Sequence, residues 1–454
     1  MTAFSPHVFA SKRFVVVGLG RAGIAAMRAL SGMGATVVGW DDAAFARETA
    51  SREEFIIADP TSDIGDFDAV VLSPGIPHTL PVPHRIAAAA RQAGCPILTD
   101  AELLFQAVRG SSGGARFAGI TGTNGKSTTT ALLSHILTRA GIANAAGANL
   151  GPAALSLPML PDDGVYVLEM SSYMLERLAT LRFDVACMLN LSPDHLDRHG
   201  DMAGYLAAKR QIFARQDVGD TAVIGIDDEY GAALAKEFSR AVRISGHAHA
   251  DVWCEGATLR DAAGPIAEMA ASHALPGEHN AQNAAAAAAM ARSLCVARED
   301  IAAGIETFPG LAHRQELVAT IEGLRFVNDS KATNADATAR ALSCYDRVVW
   351  VAGGIAKAGG IETLVTYFPR VATAILIGRD APTLAETLAR AGTPHQIVAT
   401  LDEAVPLARD AARQLGADTV LLSPACASFD QFSGFEARGA HFTCLARALG
   451  ALRE

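Results

Sequence analysis

From Phe14 onward, short runs of β-branched and other apolar residues alternate with longer alanine-rich stretches of helical character, the pattern of α/β units on parallel sheets. Three series of such units can be separated. The first predicts strands at Phe14 to Val17, Thr36 to Gly39, Ala69 to Leu72 and Pro96 to Thr99, and ends in "RGSSGGAR" (Arg109 to Arg116), a Gly/Ser-rich stretch of the kind that joins domains. The second predicts strands at Phe117 to Thr121, Val165 to Leu168, Val185 to Leu189 and Thr221 to Ile226. "HNAQNAAAAAAMARSL" (His279 to Leu294) then predicts a helix packed closely by small residues, because alanine has the best helix propensity. "FPGLAHR" (Phe308 to Arg314), with Pro309 and Gly310, marks the second boundary. The third series has runs at Arg325 to Val327, Val348 to Ala352, Thr373 to Ile377 and Thr419 to Leu422. The expectation is an α/β protein of three domains, spanning 1–110, 111–310 and 311–454, and the length of 454 residues agrees with two or three domains of about 150 each.

Composition changes this picture little. Half the residues are hydrophobic and 19% are charged, as in an ordinary globular chain, and the net charge of −10 with no basic run argues against a nucleic-acid binder. Seven scattered cysteines form no C-x-x-C, so neither a disulfide framework nor a zinc site is expected, and a reducing cytoplasm fits. The N-terminus has no continuous apolar segment of the secretory kind, and no long uncharged apolar stretch predicts membrane insertion.

In open α/β sheets ligands sit beyond the carboxyl ends of the strands, so the residues that follow each strand carry the information. "AGITGTNGKSTTT" opens a helix as a phosphate loop does. Ile120 stands where the strict pattern wants glycine, and it belongs to the preceding strand instead. Gly122, Thr123, Asn124, Gly125, Lys126, Ser127 and Thr128 then offer backbone N–H groups at a helix N-terminus, one ammonium group, and hydroxyls able to ligate Mg²⁺. "GLGRAG", with Gly18, Gly20 and Gly23, follows the first strand, and Asp41 ends the second. This geometry serves NAD or any other diphosphate, a UDP-linked ligand included.

Glu169 ends an apolar run, where an ATP-using enzyme places an acid near Mg²⁺ and where an ordinary protein places a helix cap. "SPDHLDRHG" supplies Asp194, His195, Asp197 and His199, but lacks the glutamate of a zinc protease motif, and its plain reading is a capped helix with two surface histidines. Lys209, on the next helix, could help to hold metal only if carbamylation turned its cation into a carboxylate.

"GITGTNGKST", "LEMSSYMLE", "NLSPDHLDRHG", "GEHNAQN", "FPGLAHR", "NDSKATN" and "LLSPACASFDQFSGFEARG" occur in this order, and together they resemble the Mur ligase family across nearly the whole chain. "NDSKATN" and "SPACASFDQF" are similar to the branch that adds D-glutamate to UDP-N-acetylmuramoyl-L-alanine. The resemblance implies a Rossmann-like UDP-sugar domain, a central P-loop ATPase-type domain and a Rossmann-like amino-acid domain. It also implies acyl-phosphate chemistry in cytoplasmic peptidoglycan precursor synthesis. It assigns ATP to Gly122 through Thr128 with Asn280, Arg314 and Asp329. One Mg²⁺ falls to Ser127 and Glu169, a second to His195 and carbamylated Lys209. The UDP substrate is assigned to Gly18, Gly20, Arg21, Gly23, Asp41, Ser73, Gly75 and Asn149, and D-glutamate to Thr333, Lys357, Ser428 and Phe435. The partners implied are small molecules, for a monomer. The chain departs from the family at Ala22, where a hydroxyl residue is usual, and at Gly360, where an acid is usual. Asp42 directly follows Asp41, and which acid faces uracil stays open.

Other readings account for less of the chain. A ligase for a diamino acid would carry an Asp-Asn-Pro-Arg motif, which is absent, and a folylpolyglutamate synthase has no need of the "GLGRAG" module. An NAD oxidoreductase leaves three quarters of the sequence idle. A non-catalytic nucleotide-binding module is disfavoured by the joint presence of Lys126, Glu169, His195 and Lys209.

Overall fold

A computed structural model describes residues 4–272, 274–357 and 359–451. The chain forms two compact units, one of Met1–Ala271 with Asn280–Thr307 and one of Ser272–His279 with Phe308–Glu454. All the sequence-predicted strand runs are strands, within a residue or two at their ends.

The first unit holds two sheets. One has five parallel strands in the order Ile56–Ile57, Thr36–Trp40, Arg13–Val17, Ala69–Leu72 and Ile97–Leu98. Its central strands are buried on both faces, which is why they read as unbroken Val/Phe/Leu runs rather than alternating ones. The other sheet has nine strands. Arg116–Thr121 lies between Val165–Glu169 and Val185–Met188, with Asn144–Ala148 on one flank and Thr221–Gly225, Val242–Ser245 and Val252–Glu255 on the other, all parallel. An antiparallel hairpin, Thr258–Asp261 and Gly264–Glu268, completes it. On that last strand Pro265 lacks an N–H, and the Arg298 guanidinium donates to the carbonyls of Gly264 and Pro265 at 3.3 and 2.9 Å.

"RGSSGGAR" is anchored. The helix Asp100–Gly110 runs into it, Arg109 Nη1 donates to the carbonyls of Gly113 and Ala115 at 2.7 and 3.0 Å, and Gly114 N donates to Asp162 at 2.7 Å. The alanine-rich stretch is the helix Glu278–Ser293. Ala284 through Ala289 are all buried, so this helix is wrapped on every side, as expected for one without a polar stripe.

The second unit has a six-stranded sheet. Glu316–Ile321 pairs antiparallel with Leu324–Asn328, and Thr419–Leu422, Val348–Gly353, Val371–Ile377 and His395–Ile397 follow in parallel. Among the described residues no helix is long and apolar enough to cross a membrane. All seven cysteines are free thiols.

Candidate active site

The phosphate loop grows from the middle of the nine-stranded sheet. Ile120 is fully buried in the strand, and the chain turns at Gly122 (φ 147°) and Gly125 (φ 85°) into the helix Lys126–Arg139. A Cβ at Gly125 would lie 2.1 Å from the Asn283 side-chain oxygen, so the turn needs glycine for space as well as for backbone angle. The loop is pinned from outside. Thr123 N and Asn124 N donate to the backbone and side-chain oxygens of Asn190, both at 2.9 Å, and Asn190 Nδ2 donates to Gln282 at 2.9 Å. Lys126 folds back so that Nζ donates to the carbonyls of Gly122 and Thr123 at 2.9 and 2.8 Å. Ser127 and Thr128 occupy the first helical turn, where the helix dipole favours an anion. Asn280 is buried one turn before Asn283, which donates to it at 3.0 Å.

Glu169 ends the neighbouring strand, in register with Ile120. It is 2% exposed; Oε1 accepts a 2.6 Å bond from Asn149 Nδ2, and the buried Oε2 has no hydrogen-bond partner. A buried carboxylate oxygen without a donor is costly, and a cation would relieve it. Lys209 is 1% exposed, and its Nζ donates to the Gly122 carbonyl at 2.8 Å and lies 3.4 Å from the Thr121 hydroxyl. Burial, and then the nearby Lys126 ammonium, hold its pKa well below the ordinary lysine value. Among the described residues no group of three or more His, Cys, Asp or Glu is gathered to hold a metal ion.

His195 has left-handed backbone (φ 52°) and a half-exposed ring, 5.1 Å from that of Tyr173. Burial lowers its pKa, with Lys126 and Lys209 adding to the effect against the pull of Asp194. The expectation of two surface histidines fails at His199. Its side chain is fully buried, with Nδ1 3.1 Å from Glu176 and Nε2 2.9 Å from the Ser172 hydroxyl, because the one-turn helix Leu196–His199 folds over the helix Ser172–Leu175. No sequence pattern pairs these three groups.

At the five-stranded sheet, Gly18 has φ 94°, and a Cβ at Gly23 would lie 1.9 Å from the Gly18 carbonyl. Gly20 and Arg21 lie exposed at the start of the helix Arg21–Gly32. Asp41 braces this loop: Oδ2 accepts from Leu19 N at 2.8 Å and Oδ1 from Ala43 N at 2.9 Å. Asp42 is more exposed and bonds the Trp40 indole at 3.1 Å and His84 at 2.9 Å. The Ser73 hydroxyl donates to the Gly18 carbonyl at 3.2 Å, which ties Ser73 to the glycine loop, with Gly75 two residues further on.

In the second unit the expected residues follow strand ends. Asp329 is 7% exposed, accepting from the Ser423 hydroxyl at 2.7 Å and from Gln315 N at 3.2 Å. Burial pushes its pKa up to about 7, opposed by those hydrogen bonds and by the Arg314 charge. A pKa raised in the folded state gives stability that is complete below the unfolded value near 4 and is lost as pH rises through about 7. The melting temperature is therefore expected to fall over that interval, and Asp329→Asn to flatten the profile. A wild-type curve already flat there would contradict the protonated carboxyl. Thr333 is half-buried, Lys357 exposed and Ser428 buried, and Phe435 opens the helix Phe435–Ala451 with Lys331 Nζ 3.9 Å over its ring. Arg438 received no role from the sequence. It is 1% exposed and donates to the Ser330 hydroxyl at 3.0 Å and to the carbonyls of Ser330, Cys426 and Gly353 at 2.9, 3.1 and 3.3 Å. One guanidinium thus ties together three separate segments of this unit.

A phosphate loop with a strand-end acid and a buried lysine, followed by a second α/β unit, defines a nucleotide-dependent enzyme class, and the chain belongs to the Mur ligase family: residues 120–291 match the Mur ligase middle domain and 313–426 the Mur ligase glutamate ligase domain. It is 48% identical over 446 residues to the UDP-N-acetylmuramoylalanine--D-glutamate ligase of Paramagnetospirillum magneticum, covering 96% of each chain. It is 46% identical to the protein of that name from Phenylobacterium zucineum, over 97% of each chain. In fold it is similar to the UDP-N-acetylmuramate-alanine ligase MurC of Thermotoga maritima, with a TM-score of 0.62 at 17% identity over 96% of this chain and 99% of that one. Acinetobacter baumannii MurF gives a TM-score of 0.58 at 19% identity over 97% and 93%.

Proposed function

We propose that the protein is an ATP-dependent ligase that adds D-glutamate to UDP-N-acetylmuramoyl-L-alanine through an acyl phosphate, in the assembly of a peptidoglycan precursor. The observation that carries this reading is Glu169, buried beside the phosphate loop with one carboxylate oxygen unmatched. The proposed division of labour is residues 1–110 for the UDP-sugar, 111–310 for ATP and 311–454 for the amino acid, in a cytoplasmic monomer.

Gly122 through Thr128 cradle the ATP phosphates, with the Lys126 ammonium brought against them and Asn280 toward the base. Ser127 and Glu169 suit one Mg²⁺, and His195 with carbamylated Lys209 a second; bound there, the ions would neutralise phosphate oxygens so that a carboxylate and a phosphoryl group can meet. The depressed pKa of Lys209 supports the carbamate. A neutral amine has a free lone pair that forms an N–C bond to CO₂, and the nitrogen then loses a proton to solvent, leaving an anion where the amine stood. Asn149 orients Glu169 and stands near the accepting carboxylate. Gly18, Gly20, Arg21, Gly23, Ser73 and Gly75 take the diphosphate. Asp41, which braces the glycine loop through both carboxylate oxygens, marks the uracil end, with Asp42 beside it bonded to Trp40 and His84. Arg314 and Asp329 are further nucleotide contacts, and Thr333, Lys357, Ser428 and Phe435 hold D-glutamate.

The test is ADP and phosphate release with ATP, Mg²⁺ and UDP-N-acetylmuramoyl-L-alanine, adding D-glutamate, L-glutamate, meso-diaminopimelate or no amino acid, with mass spectrometry of the product. Release that depends on D-glutamate and adds one glutamyl unit is expected. Dependence on another amino acid would overturn the assignment of Thr333, Lys357, Ser428 and Phe435, and no release would reduce the likeness to one of fold.

A further inference from the structure

Three residues hold the end of the strand Ala69–Leu72 and the loop after it: Glu176 and Arg177, which follow the helix Ser172–Leu175, and Arg198, on the turn next to His195. Arg177 Nη1 donates to the Leu72 carbonyl at 2.5 Å, Glu176 lies 3.8 Å from His78, and Arg198 donates from Nη1 to the Gly75 carbonyl at 3.1 Å and from Nη2 to the Ile76 carbonyl at 3.4 Å. The Arg198 guanidinium also lies 4.3 Å over the Tyr173 ring, whose other neighbours are the rings of His195 and His199.

Arg198 differs from the other two in what it is fastened to. It lies on the one-turn helix Leu196–His199, and its own N–H donates to the His195 carbonyl at 3.0 Å. That turn has little freedom. His199 is locked between Ser172 and Glu176 at its far end, while His195 at the near end is held in left-handed backbone. A shift of the Gly75 and Ile76 carbonyls is therefore passed through a rigid turn to the histidine. Arg198 is not needed merely to attach the five-stranded sheet to its neighbour. Arg177 does that, and so does Glu102, whose carboxylate accepts from the N–H groups of Ala179, Thr180 and Leu181 at 3.0, 2.9 and 2.9 Å.

We infer that Arg198 is a positioning residue that sets His195 according to whether the Ser73–Gly75 loop holds its ligand, so that the sugar nucleotide is registered at the phosphoryl-transfer centre before the chemistry. The inference rests on the proposed function, which gives that loop a UDP-sugar. Lysine is a poor substitute, because a single ammonium does not reproduce the planar fork that reaches two successive carbonyls while stacked on a ring.

The experiment is hydrogen–deuterium exchange of the full-length protein with and without UDP-N-acetylmuramoyl-L-alanine, alongside steady-state kinetics, for wild type, Arg198→Ala and Arg198→Lys. In wild type the ligand is expected to protect both 73–76 and 194–200. In Arg198→Ala protection should remain at 73–76 and vanish at 194–200, with kcat down by about 10- to 100-fold and KM for ATP unchanged. Arg198→Lys should recover only part of kcat, and it serves as the test variant if the alanine protein does not fold. Ligand-dependent protection of 194–200 in Arg198→Ala, or kcat within about twofold of wild type, overturns the inference while leaving the ligase reading intact. Failure of the ligand to protect 73–76 in wild type overturns the functional reading, and the inference with it.

Discussion

Alanine at Lys126 is expected to lower ATP turnover by about a thousandfold or more while leaving the fold intact. Two effects combine. The ammonium is the positive charge that the phosphate loop itself supplies, and removing one preorganised charge or donor from a site where anionic charge develops costs about 10²–10³ in rate. Lys126 also donates to the carbonyls of Gly122 and Thr123, so its loss frees the loop whose amides must face phosphate. Glycine geometry and the Asn190 clamp remain, so melting temperature should change little. ADP release and circular dichroism on the same preparation check this. Activity above about a tenth of wild type would mean that the loop amides alone hold the phosphates.

The second large effect is expected at Lys209. As an unmodified cation it would be buried beside another cation and would repel Mg²⁺. As a carbamate it becomes an anionic partner for the same charges. Lys209→Ala is expected to lose about a hundredfold or more of turnover, and a short carboxylic acid such as acetate should restore part of it by occupying the vacated space. Wild-type enzyme in CO₂-depleted buffer should lose activity and regain it with bicarbonate. Full activity of Lys209→Ala without added acid would remove the carbamate from the mechanism. The pKa displacement has a second consequence: the unfolded chain binds the Lys209 proton over a pH range where the folded protein does not, so the unmodified group favours folding more as pH rises toward the unfolded value.

Strands that face helices on both sides announce themselves as unbroken apolar runs, and those at Phe14, Val165, Val348 and Thr419 were legible for that reason. Asn144–Ala148 was not. "NAAGA" has no β-branched residue, and its strand character comes from pairing with Val165–Glu169, a partner some twenty residues away. The hairpin Thr258–Glu268 was missed because it adds to the edge of a sheet whose parallel pattern gives no cue to a reversal. The phosphate loop and Glu169 were readable because each follows its strand directly, and parallel neighbours bring such positions together. His199 and Arg438 were not readable as anchors, since the groups they bind, Ser172 and Glu176 in one case and Gly353 and Cys426 in the other, are brought to them by tertiary packing with no regular spacing.

The outer strand Gly264–Glu268 bears on a property remote from catalysis. A nine-stranded sheet that ended in a row of open N–H and C=O groups would be a template on which another chain's strand could pair. Here Pro265 has no N–H to offer, and the Arg298 guanidinium binds carbonyls of this strand with a charged group that an incoming apolar strand would meet. This edge of the nine-stranded sheet thus carries a guard against edge-to-edge pairing with another chain.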